Sequence, residues 1–253
     1  MGLQAKAGQG QRGDVDAGYQ IGRRLTAWAV HAFTASGVVL GLGALLAAGQ
    51  GEPAVCFALL GLALVVDGVD GTFARLARVR EVLPRIDGSV LDLVTDYLTY
   101  VLVPAVFVIF YELLPPGLGI PGAAWMLVTS LYCFANTGMK SDDHYFVGFP
   151  AIWNVVVLCL WLLGLDPWAN AAVVLGLGVL TFVPVKFLHP LRVRALLPLN
   201  VVVTVAWLAA AAWLVSEHPV RPALPFAVWL GASAWYLAVC AWRTVSGPPS
   251  ASG

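Results

Sequence analysis

Charge is what this sequence is short of. Only 11% of its 253 residues are Asp, Glu, Lys or Arg, and the two signs cancel at 14 each. A soluble globular domain carries about 25% charged residues. With neither sign in excess, no long-range field points to nucleic acid or to an acidic partner. Cysteine is equally sparse. Cys56, Cys133, Cys159 and Cys240 stand far apart inside apolar runs and form no CxxC pair. They read as small buried hydrophobes, which excludes a disulfide scaffold and leaves no thiolate metal cluster. No secretory signal is expected in residues 1–22, which are polar, since the first long apolar run starts only near Thr26. No internal repeat and no second domain boundary are visible.

What the sequence has in quantity is apolar surface. Hydrophobic residues make up 60% of it, more than so few charges can cover in water. That composition excludes an ordinary cytosolic enzyme and a disordered chain, and leaves a polytopic membrane protein. The apolar runs are long and continuous, unlike the alternating strands of about 10 residues in a membrane β-barrel. At about 20 residues per helical span, the runs predict an all-α protein with about eight transmembrane helices. They fall at 27–49, 54–76, 88–111, 120–138, 149–164, 168–187, 197–216 and 222–242. Residues 1–26 are expected to form a polar tail (1–16 disordered) and a short amphipathic lead-in, 27–243 the membrane domain, and 244–253 a disordered Pro/Gly/Ser-rich tail.

Orientation follows from the short loops. With the N-terminus inside, thirteen of the 14 Lys and Arg residues fall on the cytoplasmic side and Arg221 alone falls outside. Both termini are therefore expected in the cytoplasm. Tryptophans such as Trp125, Trp168, Trp213 and Trp242 lie near span ends and read as an interfacial belt.

Against this background four carboxylates are out of place. Asp67 and Asp70 close the second span, and Asp92 and Asp96 open the third. Each Asp costs about 2.5–3.5 kcal/mol at a span centre, less near the interface. Spacings of three and four put each pair on one helix face. Gly88 extends the second stripe, while Gly68, Gly71 and Ala74 thin the first helix and permit close approach. The short basic connection 77–87 makes the two helices neighbours, so the carboxylate pairs can face each other. An all-oxygen, anionic ligand set suits Mg²⁺ or Mn²⁺. Two such ions could clamp a phosphoryl group, with Arg75 reaching the same phosphates. Spacing alone leaves two other readings open: a proton or cation pathway through a transporter, and pairing with Arg75, Arg78 and Arg80 that only holds the loop.

The run Asp67-Gly-Val-Asp70-Gly71-Thr-Phe-Ala74-Arg75, then twelve residues, then Gly88-x₃-Asp92-x₃-Asp96, resembles the signature of the CDP-alcohol phosphatidyltransferase family. The twelve-residue gap is longer than most of that family shows and is similar to the bacterial phosphatidylcholine synthase branch. VHAFTASG (30–37), GMKSDDHYFVGFPAIWN (138–154) and FLHPLRVRALLPLN (187–200) resemble the same branch, and the similarity runs from about residue 26 to 243. Residues 1–22 look like an addition to the family pattern. The resemblance implies transfer of the phosphatidyl group of CDP-diacylglycerol to choline, with CMP released, in a bacterial inner membrane. It further implies a homodimer and a two-metal Mn²⁺ or Mg²⁺ site on Asp67, Asp70, Asp92 and Asp96, with Asp96 as general base and Asp92 beside it. Asp67, Gly71, Ala74, Arg75 and Gly88 would bind the cytidine diphosphate. Another acceptor alcohol, such as serine, inositol phosphate or glycerol phosphate, is the rival within the family.

Choline offers no donor on its nitrogen, so its recognition needs aromatic faces and a carboxylate. The expected cage is Tyr97, Tyr100, Tyr145 and Trp153, with Asp142 or Asp143 nearby. A second cytoplasmic cluster, Lys186, His189, Arg192 and Arg194, can bind lipid or nucleotide phosphates or merely satisfy the positive-inside rule. His31, in the first span, either bonds locally or approaches the active-site cavity.

Overall fold

The apolar runs fold as helices. A computed structural model of the chain describes residues 3–136, 138, 145–188 and 196–246, with side chains from Gly18 onward. The helices are α1 Leu3–Gly49, α2 Pro53–Leu76, the single turn α3 Val79–Val82, α4 Gly88–Asp96, α5 Val103–Phe110, α6 Gly119–Ala135, α7 Trp153–Leu163, α8 Pro167–Leu180, α9 Leu197–Glu217 and α10 Ala223–Ser246. A π-helical segment, Tyr97–Leu102, joins α4 to α5, so Gly88–Phe110 is one continuous rod. Strands β1 Phe146–Val147 and β2 Lys186–Phe187 pair antiparallel, with Phe146 opposite Phe187.

This is an all-α polytopic membrane protein. Among the described residues, five helical stretches are long and apolar enough to cross a bilayer: Gly18–Gly49, Pro53–Leu76, Gly88–Phe110, Leu197–Glu217 and Ala223–Ser246. Every apolar run foreseen in the sequence contains a helix, but α6, α7 and α8 are shorter than the runs that hold them. Gly164 in the left-handed region closes α7. Pro150 precedes α7, and Pro184 follows α8, as expected of a residue that cannot continue a helix. At the other end, the helix of α1 already starts at Leu3 rather than after a disordered tail. No proline interrupts the chain before Pro53.

Helix α1 is the spine of the carboxylate-bearing part of the fold. Ala27, His31, Thr34, Ala44 and Ala48 are buried along one stripe at helical spacing. The stripe packs against α2, α4 and α5. Glycines on it let the rods meet closely: a Cβ at Gly37 would lie 2.5 Å from Thr95 Cγ2, and one at Gly41 2.9 Å from Leu98 Cδ2. The main apolar core gathers Phe57, Phe107, Trp153, Trp161, Trp207 and Trp229. The connection between α2 and α4 is anchored, because Val79 and Leu83 bury against Ala27 and hold the α3 turn on α1. Arg78, left-handed at φ 48°, makes the reversal that starts this turn. That anchoring fixes the path of the chain from α2 to α4.

Candidate active site

Asp70 ends the buried stripe of α2 that begins with Cys56, Leu60 and Ala63, so a carboxylate occupies a position built for an apolar side chain. Asp67 lies one turn back. From the facing helix α4 comes Asp92. One carboxylate oxygen each of Asp67, Asp70 and Asp92 lies within 4.8 Å of the others, with Asp70 buried and its neighbours half-buried. Three like charges this close repel strongly. Hard oxygen donors at this separation are what a divalent cation takes, and the residues fit such an ion on that ground.

The neighbours orient the set. Thr34 of α1 hydrogen-bonds Asp70, and so does the Gly71 amide. Tyr100 Oη donates to Asp67 Oδ2 at 2.6 Å. The same hydroxyl lies within electrostatic reach of Asp92 and Asp96. The π segment explains how. A step of four residues in an α-helix overshoots a full turn by about 40°, which displaces Asp96 from Asp92. A π turn takes more residues, so the four from Asp96 to Tyr100 fall short of a turn. The two displacements offset, and Tyr100 returns to the stripe of Asp92. Asp96 stands beside the three-carboxylate cluster rather than in it.

The other positions expected to bind nucleotide line the same end. Arg75 is exposed and folds back, Nη2 donating to Thr72 Oγ1 at 3.0 Å, and a Cβ at Gly71 would meet its Nη1 at 3.5 Å. Ala74 packs beside Ala27, Val79 and Leu83. Gly88 begins α4, capped by Asp87, whose Oδ1 accepts the Ser89 amide at 2.9 Å. The Ser89 hydroxyl and amide bonds hold the Asp87 carboxyl below the usual carboxylate range. Next to Arg75, an apolar groove of about 490 Å³ runs between α1 and α2, lined by Ala29, Val30, Phe33, Phe73 and Leu76.

The aromatic residues expected around choline divide between two settings: Tyr97, Tyr100 and Trp153 belong to the main apolar core, Tyr145 to a smaller cluster. Tyr97 Oη donates to the Leu127 carbonyl at 3.0 Å. Trp153 is fully buried in the core, and its indole donates to Ser130 Oγ at 2.9 Å. Tyr145 is buried with Leu188 and Val239, and the Arg243 guanidinium lies 5.5 Å from its ring centroid. Tyr100 touches the acidic cluster through Asp67. Lys186 lies on β2, its amide donating to Thr244 Oγ1. Asp142, Asp143, His189, Arg192 and Arg194 lie outside the described residues. Thr34 escaped the sequence reading, although the stretch that contains it stood out.

No family model matches the chain. Several proteins named phosphatidylcholine synthase are similar to it. That of Pseudomonas aeruginosa is 51% identical over 218 residues, 86% of this chain and 92% of that protein. The one from Mesorhizobium japonicum is 42% identical over 191 residues, 76% of this chain and 71% of its own length. A more distant relative from Borreliella burgdorferi is 33% identical over 181 residues, 72% of this chain and 77% of its own.

Proposed function

The chain belongs to the phosphatidylcholine synthase family, a family of phosphatidyltransferase enzymes, and we propose that it transfers the phosphatidyl group of CDP-diacylglycerol to choline and releases CMP. The observation that carries this reading is the carboxylate cluster of α2 and α4. It holds three motif Asp residues within 4.8 Å in a chain that is about half identical to a named synthase.

Asp67, Asp70 and Asp92, with Asp96 beside them, would hold the Mn²⁺ or Mg²⁺. Bound there, the metal would supply charge neutralisation on the pyrophosphate as CMP departs. Asp96 takes the proton of the choline hydroxyl. The choline oxygen forms a bond to the phosphorus that bears diacylglycerol. The bond from that phosphorus to the bridging oxygen breaks, and the electron pair leaves with CMP. Gly71, Ala74 and Gly88 leave room for the nucleotide, and Arg75 swings its fork of donors onto the phosphates. One acyl chain lies in the groove between α1 and α2. The ring of Tyr100 presents its face to the trimethylammonium group, with Tyr97 beside it and Asp142 supplying charge from the loop. Lys186, with His189, Arg192 and Arg194, meets lipid headgroups. The protein crosses a bacterial inner membrane eight times, both termini and the active site face the cytoplasm, and it works as a homodimer.

The test is direct. Membranes from a host without phosphatidylcholine, carrying this chain, are given labelled choline and CDP-diacylglycerol. Labelled phosphatidylcholine is expected with Mn²⁺, and is lost with chelator and with Asp96→Ala. Product from another alcohol but not from choline would overturn the acceptor. Absence of CMP release with every acceptor, from folded protein, would overturn the reaction.

A further inference from the structure

Among the described residues His31 is the one imidazole near this site, and the reaction as derived does not use it. It lies on α1 one turn before Thr34, which bonds Asp70, so both sit on the stripe that faces the carboxylates. The side chain is 6% exposed, and its buried Nε2 has no hydrogen-bond partner. A buried imidazole nitrogen without a partner forfeits its hydration and is costly to maintain. The ring edge faces Gly88: a Cβ there would lie 3.2 Å from His31 Cε1 and 3.8 Å from Nδ1. Trp28 meets the ring edge-on at 6.3 Å between centroids. The imidazole is thus packed between an aromatic residue and the glycine that our functional reading assigns to the nucleotide.

We propose that His31 binds the nucleoside half of the CDP group, its Nε2–H donating to an oxygen of the sugar or the base, with Gly88 kept free of a side chain so that the imidazole can stand there. This rests on the functional reading above. One observation favours the nucleoside over the phosphates. The amide end of α4 beside Gly88, which would otherwise attract an anion, is already capped by the Asp87 carboxylate. An added phosphate at His31 would meet the negative charge of Asp87, whereas a hydroxyl or carbonyl oxygen would not.

Two substitutions separate the donor from the ring. His31→Phe keeps the bulk and loses the N–H, while His31→Gln places an amide N–H near the position of Nε2. The full-length enzyme is assayed in membranes for CMP inhibition, pyrophosphate inhibition and the KM values of CDP-diacylglycerol and choline. His31→Phe is expected to weaken CMP inhibition and raise the CDP-diacylglycerol KM by about tenfold. Pyrophosphate inhibition and choline KM stay unchanged, and His31→Gln recovers most of the loss. Unchanged CMP inhibition in His31→Phe would make His31 packing only and overturn the proposal. Equal weakening of pyrophosphate would move the contact to the phosphates and also overturn it. Should His31→Phe fail to fold, His31→Gln against His31→Asn decides, since Asn cannot reach as far and is expected to lose CMP inhibition. Wild-type protein that releases no CMP would instead overturn the functional reading itself. If Gly88→Ala leaves CMP inhibition unaltered, what fails is the nucleotide assignment of Gly88.

Discussion

Tyr100 Oη donates to Asp67 Oδ2 at 2.6 Å, joining the π segment after α4 to the first carboxylate of α2. The bond fixes the orientation of one oxygen of the acidic cluster and leaves the tyrosine ring free to act separately. Second partners of this kind tune metal sites by about 10–100-fold. Tyr100→Phe should therefore weaken Mn²⁺ binding, read by titration of the purified protein, by at least tenfold on that scale, and leave choline KM close to wild type. Tyr100→Ala should raise choline KM as well. Equal KM values in Phe and Ala variants would remove Tyr100 from the acceptor site.

Asp70 and Asp96 should fail in different ways. Asp70 is the buried member of the cluster, so Asp70→Asn is expected to abolish Mn²⁺ binding together with turnover. Asp96→Asn should retain the metal and lose about 10²–10⁴ in kcat, the range of a general base. Loss of metal binding in both variants would make Asp96 a ligand first.

Trp153 and Tyr145 are predicted to hold structure rather than choline. Trp153→Phe removes a buried indole-to-hydroxyl bond to Ser130 and should cost about 1–3 kcal/mol. Tyr145→Leu removes the ring that stacks with Arg243. Thermal unfolding in detergent should show both losses, with choline KM unchanged. A raised KM in either would return that residue to the cage.

The α4 cap gives a pH dependence. Bonds from Ser89 hold the Asp87 carboxyl below its ordinary value, so the folded state favours its charged form. Its stabilising contribution is complete above the unfolded value of about 3.9 and is lost as pH falls through the lower folded value. The Tm difference between wild type and Asp87→Ala should hold from neutral pH down to about pH 4 and shrink below it. A difference that grows on acidification would contradict the cap.

Packing in the short-helix region turns on Gly178. A Cβ there would run into the Trp125 indole, so Gly178→Ala should cost about 1–3 kcal/mol by overpacking. Trp125→Leu should relieve most of that loss in the double variant, read as a thermodynamic cycle. Strict additivity would show that the two side chains do not share the space.

The membrane class, the positions of the helices and the carboxylate pairs were all legible along the chain. Each rests on local order: apolar runs of span length, and Asp residues three and four apart on one helix face. A polar side chain is so costly in an apolar helix that Asp67, Asp70, Asp92 and Asp96 announced themselves. What only the tertiary structure decided are relations between helices. Periodicity on α4 would not place Tyr100 against Asp67, because the π segment changes the angular step. The aromatics grouped around choline divide between two apolar clusters. Trp153 and Tyr145 turn to Ser130 and Arg243. The third wall of the site, Thr34 and His31 on α1, has no charge to mark it. It exists because Gly37 and Gly41 let α1 close on the π-linked rod, and such an approach depends on which rods meet. Sequence determines which residues are expensive to bury; the packing of the helices determines what they are buried against.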